Sequence, residues 1–123
     1  MNKKEIINLI ESLEIDYNEF WVLSTSALVL RNLYDSANDL DICVTEKGLK
    51  QLKEKYNLKK KDNGWYIVSD KIECILSIKD DYKVEKVGKY NLQSLQDYFD
   101  YLDKTKREKD KEKYKIVKKL LNK

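Results

Sequence analysis

Asp39-Leu40-Asp41-Ile42 sets two carboxylates in alternation with aliphatic side chains, shortly after Leu23-Ser24-Thr25-Ser26-Ala27-Leu28. Side chains two apart on a strand point to the same face. Asp39 and Asp41 are therefore expected on one face, with Leu40, Ile42 and Val44 on the other. Two acids crowded onto one face repel unless a cation sits between them. Mg²⁺ suits such a pair, because it is a hard ion held by a few carboxylates plus substrate phosphates. A third acid, Glu73, lies in Lys71-Ile72-Glu73-Cys74-Ile75-Leu76, where alternation puts it on the face opposite Ile72, Cys74 and Leu76. If the two strands pair side by side, Glu73 joins the aspartates as a third cation ligand or as a general base on an attacking hydroxyl. The plainer alternatives are two solvated aspartates at a polar strand end and a glutamate in water on an edge strand.

Ser24, Thr25 and Ser26 stand between an apolar strand and a short apolar helix. A helix N-terminus offers free N–H groups and a positive dipole end, which suits phosphate, and hydroxyls there add donors. The same residues can serve simply as N-caps. The chain contains no histidine, which excludes Ser-His-Asp and Cys-His catalysis and histidine-containing metal sites. Acid–base or metal chemistry must then run through carboxylates. Cys43 and Cys74 are too few for a zinc site and are expected as reduced thiols in the cytoplasm. The 25 basic and 22 acidic residues give a net charge of +3, too mild by itself to argue for nucleic acid. The basic excess gathers after Lys104, where Arg107, Lys109 and the following lysines are candidates for contacts to phosphate or to an acidic partner. A solvated basic helix face is the simpler account of them.

These residues need elements to hold them. At 123 residues, 41% hydrophobic and 38% charged, the chain is expected to form a single domain, residues 1–123, with one core in a charged shell. Residues 3–14 carry a helical apolar stripe, and Phe20–Leu23 reads as a short strand. A turn at 24–26 leads to a helix over Ala27–Leu33, the carboxylate strand follows at 39–45, and a helix runs from Glu46 to about Tyr56. Leu58–Lys60, Trp65–Val68 and Ile72–Ile78 read as strands, with a hairpin turn at Asp62-Asn63-Gly64. A strand pair around Gly88 is expected within 82–91, then helices over about 92–103 and 107–122. Trp21 and Trp65 are expected in the core or sheet, Cys43 in the core, and Tyr34 as the best platform for stacking on a base. The order predicts an α+β domain, a small mixed sheet flanked by helices with further helices at the C-terminus. No apolar run approaches the about 20 residues of a membrane span. Residues 1–15 form an amphipathic pattern rather than a signal peptide, so a cytoplasmic protein is expected.

The stretch WVLSTSALVLRNL followed by SANDLDICV resembles the signature of the DNA polymerase β superfamily of nucleotidyltransferases. It is most similar to the small lincosamide, aminoglycoside and antitoxin-type members. Ser26 matches the signature serine, and Asp39 and Asp41 match the metal-binding pair. Glu73 falls where the third carboxylate is usual, Leu92–Tyr98 resembles the helix after the sheet, and Arg107-Glu108-Lys109-Asp110 resembles an Arg-x-Lys-Asp segment. The glycines of the family's first turn are replaced by Ser24 and Thr25. The resemblance, covering residues 18–118, implies two-metal transfer of a nucleoside monophosphate from a nucleoside triphosphate to a hydroxyl acceptor. Mg²⁺ would sit on Asp39, Asp41 and Glu73, and the nucleotide on Ser24, Thr25 and Ser26. The acceptor is open, and a homodimer or a protein partner is expected to complete so small a site. The alternative is a catalytically inactive module of the same fold that binds a nucleotide or a protein partner.

Overall fold

The computed structural model describes residues 1–77 and 83–123. Helix α1 (Lys3–Leu13) starts at a reciprocal cap: the Asn2 side chain accepts from the Glu5 N–H, and the Glu5 carboxylate accepts from the Asn2 N–H. Ile6, Ile10 and Leu13, at helical spacing, are fully buried. After a 3₁₀ turn at Tyr17–Glu19 come strand β1 (Phe20–Val22), helix α2 (Ser24–Leu30), strand β2 (Leu40–Val44) and helix α3 (Glu46–Lys55). Thr45 caps α3 by accepting from the Gly48 N–H. Gly48 lies against the Glu19 carbonyl, only 2.5 Å from where a Cβ would stand, so no larger residue fits where α3 crosses the entry to β1.

Strands β3 (Lys59–Lys60), β4 (Tyr66–Ser69) and β5 (Ile72–Leu76) follow, then a hairpin of β6 (Val84–Val87) and β7 (Tyr90–Gln93). Gly88, at φ +62°, supplies the left-handed residue of its two-residue turn. Helix α4 (Leu95–Thr105), capped by Ser94, a 3₁₀ turn at Glu108–Asp110 and helix α5 (Lys111–Leu120) close the chain. One seven-stranded mixed sheet results, in the order β3-β4-β5-β2-β1-β7-β6, with β2–β5 and β1–β7 parallel and the other pairs antiparallel. The α+β class expected from the element order is the one observed.

Several boundaries shift by a residue or so, and four differences bear on the site. Ser24–Ser26 form the first turn of α2 rather than a loop before it, and α2 ends at Leu30. β2 begins at Leu40, one residue after Asp39. Residues 92–93 complete β7 instead of opening a helix, because Ser94 is the cap that starts α4. The last expected helix is split by the turn at 108–110. β5 ends at Leu76, before Ser77; Ile78 of the expected strand, and residue 82 of the strand pair, lie outside the described residues.

The core falls into two clusters. In the larger one, α1 and α3 pack on Leu40, Ile42 and Val44 of β2, Ile72 and Cys74 of β5, and Phe20, Val22 and Leu92. The smaller joins Leu28 of α2 to Tyr98, Phe99 and Leu102 of α4 and Val117 of α5. Alternation along β2 thus commits one of its faces to the first cluster and leaves Asp41 and Cys43 on the other. No described helix is long and apolar enough to cross a membrane.

Candidate functional site

Parallel pairing of β2 with β5 sets Asp41 beside Glu73 in register, and Cys43 beside Ile75. Asp39, exposed, precedes the strand, while Asp41 is half-buried. The position of Asp39 is fixed by its own backbone: the Ser26 hydroxyl donates to the Asp39 carbonyl at 2.7 Å, and the Leu40 N–H donates to the Lys71 carbonyl. The Asp41 carboxyl is pushed up to about 6, first by burial, then by the charges of Asp39 and Glu73; Lys61 works against the rise.

Asp39 and Asp41 line a cleft of about 880 Å³ with Ser24, Thr25, Tyr34 and Trp65. The α4–α5 side adds Tyr98, Tyr101, Arg107, Lys109, Asp110 and Lys113. The cleft therefore has two carboxylates at the head of β2 and three cations at the α4–α5 connection and the start of α5, with Asp97 of α4 also in its lining. The basic side is built around a buried acid. Asp110, only 3% exposed, accepts from Arg107 Nε at 2.7 Å and from Lys113 Nζ at 3.4 Å, which fixes both cations. The Arg107 guanidinium lies 5.4 Å from the centre of the Tyr101 ring, and Lys113 Nζ lies 5.5 Å from that of Tyr34. Tyr101 stacks on Tyr98 with centroids 6.3 Å apart. Burial raises the Tyr98 hydroxyl to about 12, offset in part by its hydrogen bond with Thr25.

The serine-rich turn is arranged differently from the expected phosphate cradle. Ser24 holds φ +55°, the left-handed region that favours glycine, and its N–H donates to the buried Gln93 side chain at 3.0 Å. Thr25 is bonded to Tyr98, and Ser26 is buried with its hydroxyl on Asp39. Ser24 and Thr25 border the cleft; Ser26 does not. Of the three residues expected to bind nucleotide, Ser26 instead pins the start of the carboxylate strand.

Glu73 departs from expectation in one respect. It is beside Asp41, but its carboxylate is paired with Lys61 Nζ at 3.0 Å and is not among the residues lining the cleft. Among the described residues, no three Asp, Glu, Cys or His side chains are gathered to hold a metal ion. The expected triad is a pair of aspartates plus an ion-paired glutamate. Asp39 and Asp41 fit a hard divalent cation: they are oxygen donors, they repel each other, and neither carboxylate has a hydrogen-bond or ion-pair partner among the described residues. Glu73 does not fit one as it stands, because a protein cation already holds it.

Cys43 is fully buried and its thiol is raised to about 12 by burial, an inert core group as expected; Cys74 is likewise buried and raised, to about 11. Trp65 borders the cleft rather than sitting in the core. Sequence reasoning missed Lys61, Gln93, Tyr98 and Tyr101, gave Asp110 no role of its own, and took in Lys113 only among the lysines after Lys109. For Gln93 a signal existed, since Ser94 three residues before Asp97 marks a helix start and so leaves Gln93 on a strand. Comparison with protein-family models, with curated proteins and with solved structures finds no match to this chain.

Proposed function

We propose that this chain is a Mg²⁺-dependent nucleotidyltransferase that moves a nucleoside monophosphate from a nucleoside triphosphate to a hydroxyl acceptor. The observation that carries the reading is the polarity of the cleft: Asp39 and Asp41 from the head of β2, Arg107 and Lys109 from the α4–α5 connection, and Lys113 from the start of α5 border one space. A triphosphate suits both sides, with its cation on the carboxylates and its remaining phosphate charge on the basic groups. When bound, Mg²⁺ supplies charge neutralisation of the phosphates and a lowered pKa for the attacking hydroxyl.

The residues divide the work. Asp39 and Asp41 bind the cation and thereby position the triphosphate. The acceptor oxygen forms a bond to the α-phosphorus as the bond from that phosphorus to the bridging oxygen breaks, and pyrophosphate leaves. Glu73, beside Asp41 but paired with Lys61 and outside the cleft lining, would take the acceptor proton through an intervening water. Arg107, Lys109 and Lys113 offset the charge that grows on the departing pyrophosphate. Ser24 and Thr25 would border the phosphates, and Trp65 and Tyr34, both in the cleft lining, would stack on the base. In the two-metal form of this scheme, Asp41 and Glu73 would hold a second cation, which would need Glu73 to leave Lys61. The acceptor, and any second copy or partner chain that encloses it, complete the reading.

The same fold also supports a second reading, a nucleotide- or partner-binding module without turnover. It is favoured by Ser24, which keeps a glycine-like backbone while carrying a side chain at the cleft, and by Lys61 on Glu73. Calorimetric titration with ATP, GTP, CTP and UTP, with and without Mg²⁺, tests both. Mg²⁺-dependent binding of a triphosphate, followed by label transfer from that nucleotide in cell extract, supports the enzyme. Metal-dependent binding without transfer leaves the module. No binding under either condition removes the nucleotide from the reading.

A further inference from the structure

We infer that Lys61 takes the place of the second cation, so that this centre holds one divalent ion rather than two; the inference rests on the nucleotidyltransferase reading above. Lys61 belongs to the turn between β3 and β4, at the far edge of the sheet from the cleft's basic side. Pairing carries it inward. Lys59 pairs with Ile67, Ile67 with Glu73, and Asp41 with Glu73, so alternation puts Lys61, Glu73 and Asp41 on the same face of four neighbouring strands. The Lys61 backbone is anchored at both ends of its peptide unit. Its N–H donates to the Trp65 carbonyl at 2.7 Å, and its carbonyl accepts from the Gly64 N–H at 3.1 Å. From that fixed point Nζ reaches Glu73 Oε1 at 3.0 Å, with the two side chains only 37% and 32% exposed. Its charge also reaches Asp41 favourably.

An ammonium is a compact point charge with three donors, and this one stands on the very carboxylate that a second ion would need. Being tethered, it competes with a free cation at a permanently high local concentration. Charge balance leads the same way. One divalent ion together with Lys61 balances the three carboxylates, whereas two divalent ions with Lys61 overshoot before any phosphate arrives. Glu73 therefore stays on Lys61, and the single ion sits on Asp39 and Asp41. Lys61 acts through Glu73 and Asp41 and is a positioning residue, not a catalytic one.

The number of bound ions tests this without any turnover. Free Mn²⁺ is counted by electron paramagnetic resonance against the full-length protein, with Mn²⁺ alone and with a non-hydrolysable nucleoside triphosphate. Wild type and Lys61→Arg are expected to saturate at one ion per chain and Lys61→Met at two, with the second lost again in Lys61→Met/Glu73→Gln. Lys61→Gln, checked like the others by circular dichroism, gives the same count if the methionine variant does not fold. Two ions in wild type, or one ion in every folded Lys61 variant, overturns the inference and leaves the cation reading standing. Failure of every form to retain Mn²⁺, with and without the triphosphate, overturns both.

Discussion

Asp41→Asn isolates the electrostatic cost of the carboxylate cluster, because the amide keeps the shape of the side chain and removes its charge. In the folded chain the Asp41 carboxyl stands at about 6 against an ordinary value of 3.8, raised first by burial and then by Asp39 and Glu73. A carboxyl whose folded pKa lies above its unfolded one binds its proton more tightly when folded. Ionisation therefore penalises the native state. The penalty is absent below about pH 4, grows as pH rises towards 6, and is complete above that. At about 1.4 kcal/mol per tenfold change in acidity, the full displacement corresponds to about 3 kcal/mol. Asp41 is only half-buried and borders an open cleft, so solvent screening reduces the realised cost to about 1–2 kcal/mol.

The assay is urea unfolding by circular dichroism in chelator-treated buffer. At about pH 8 the Asn variant is expected to be more stable than wild type by about 1–2 kcal/mol, a gain of a few degrees in Tm. At about pH 4 the two should converge, since protonated Asp41 is as neutral as asparagine. Added Mg²⁺ should raise the wild-type midpoint at the higher pH and leave the variant almost unmoved, because only wild type gains a ligand that binds the native state. An Asn variant no more stable than wild type at the higher pH, or a gap independent of pH, refutes the reasoning: Asp41 would then be either fully solvated or already neutralised.

Other perturbations follow from single contacts. Gly48→Ala drives a Cβ to 2.5 Å from the Glu19 carbonyl oxygen and should destabilise by about 1–3 kcal/mol in the same unfolding assay, since the obstacle is backbone and cannot yield cheaply. Ser24→Gly removes a left-handed non-glycine residue and should stabilise by about 0.5–1 kcal/mol, the relief being partly offset by a freer unfolded chain; triphosphate affinity measured on the same variant tells whether the serine side chain obstructs or donates. Asp110→Asn strips the charge that holds Arg107 and Lys113 and should cost about 2–3 kcal/mol, with a loss of triphosphate affinity by calorimetry if these cations serve the cleft. Asp39→Asn with Asp41→Asn should abolish the Mg²⁺ dependence of nucleotide binding while leaving the circular dichroism spectrum unchanged.

The carboxylate strand was legible because its information is local. Period-two alternation within Leu40–Val44 and within Ile72–Leu76 already says which side chains share a face, and burying the aliphatic face against α1 and α3 leaves no other choice. The serine-rich turn was legible in place but not in role. A hydroxyl beside a helix start looks the same in sequence whether it meets a ligand or a backbone carbonyl, and Ser26 meets the Asp39 carbonyl. The basic side was hidden for a different reason. In a segment as lysine-rich as 104–123, density says nothing about which cations are fixed; that depends on one acid, Asp110, folding inward at the turn between α4 and α5.

Lys61 marks the limit of local reading. Twelve positions separate it from Glu73, and no periodicity spans the two, because the chain turns at Lys61–Gly64 and again near Ser69 before Glu73 comes alongside. A one-residue irregularity between β4 and β5 at Ile67–Ser69 decides whether Glu73 lies opposite Ile67, and hence whether Lys61 and Glu73 share a face at all. The ion pair is therefore a product of sheet register, not of composition. A separate register, that of β2 with β5, sets Glu73 beside Asp41. Two independent pairings of β5 thus meet at Glu73, one bringing the third carboxylate and the other the cation that occupies it. Any change that slips β4 against β5 by one residue should free Glu73 from Lys61 while leaving Asp39 and Asp41 where they are.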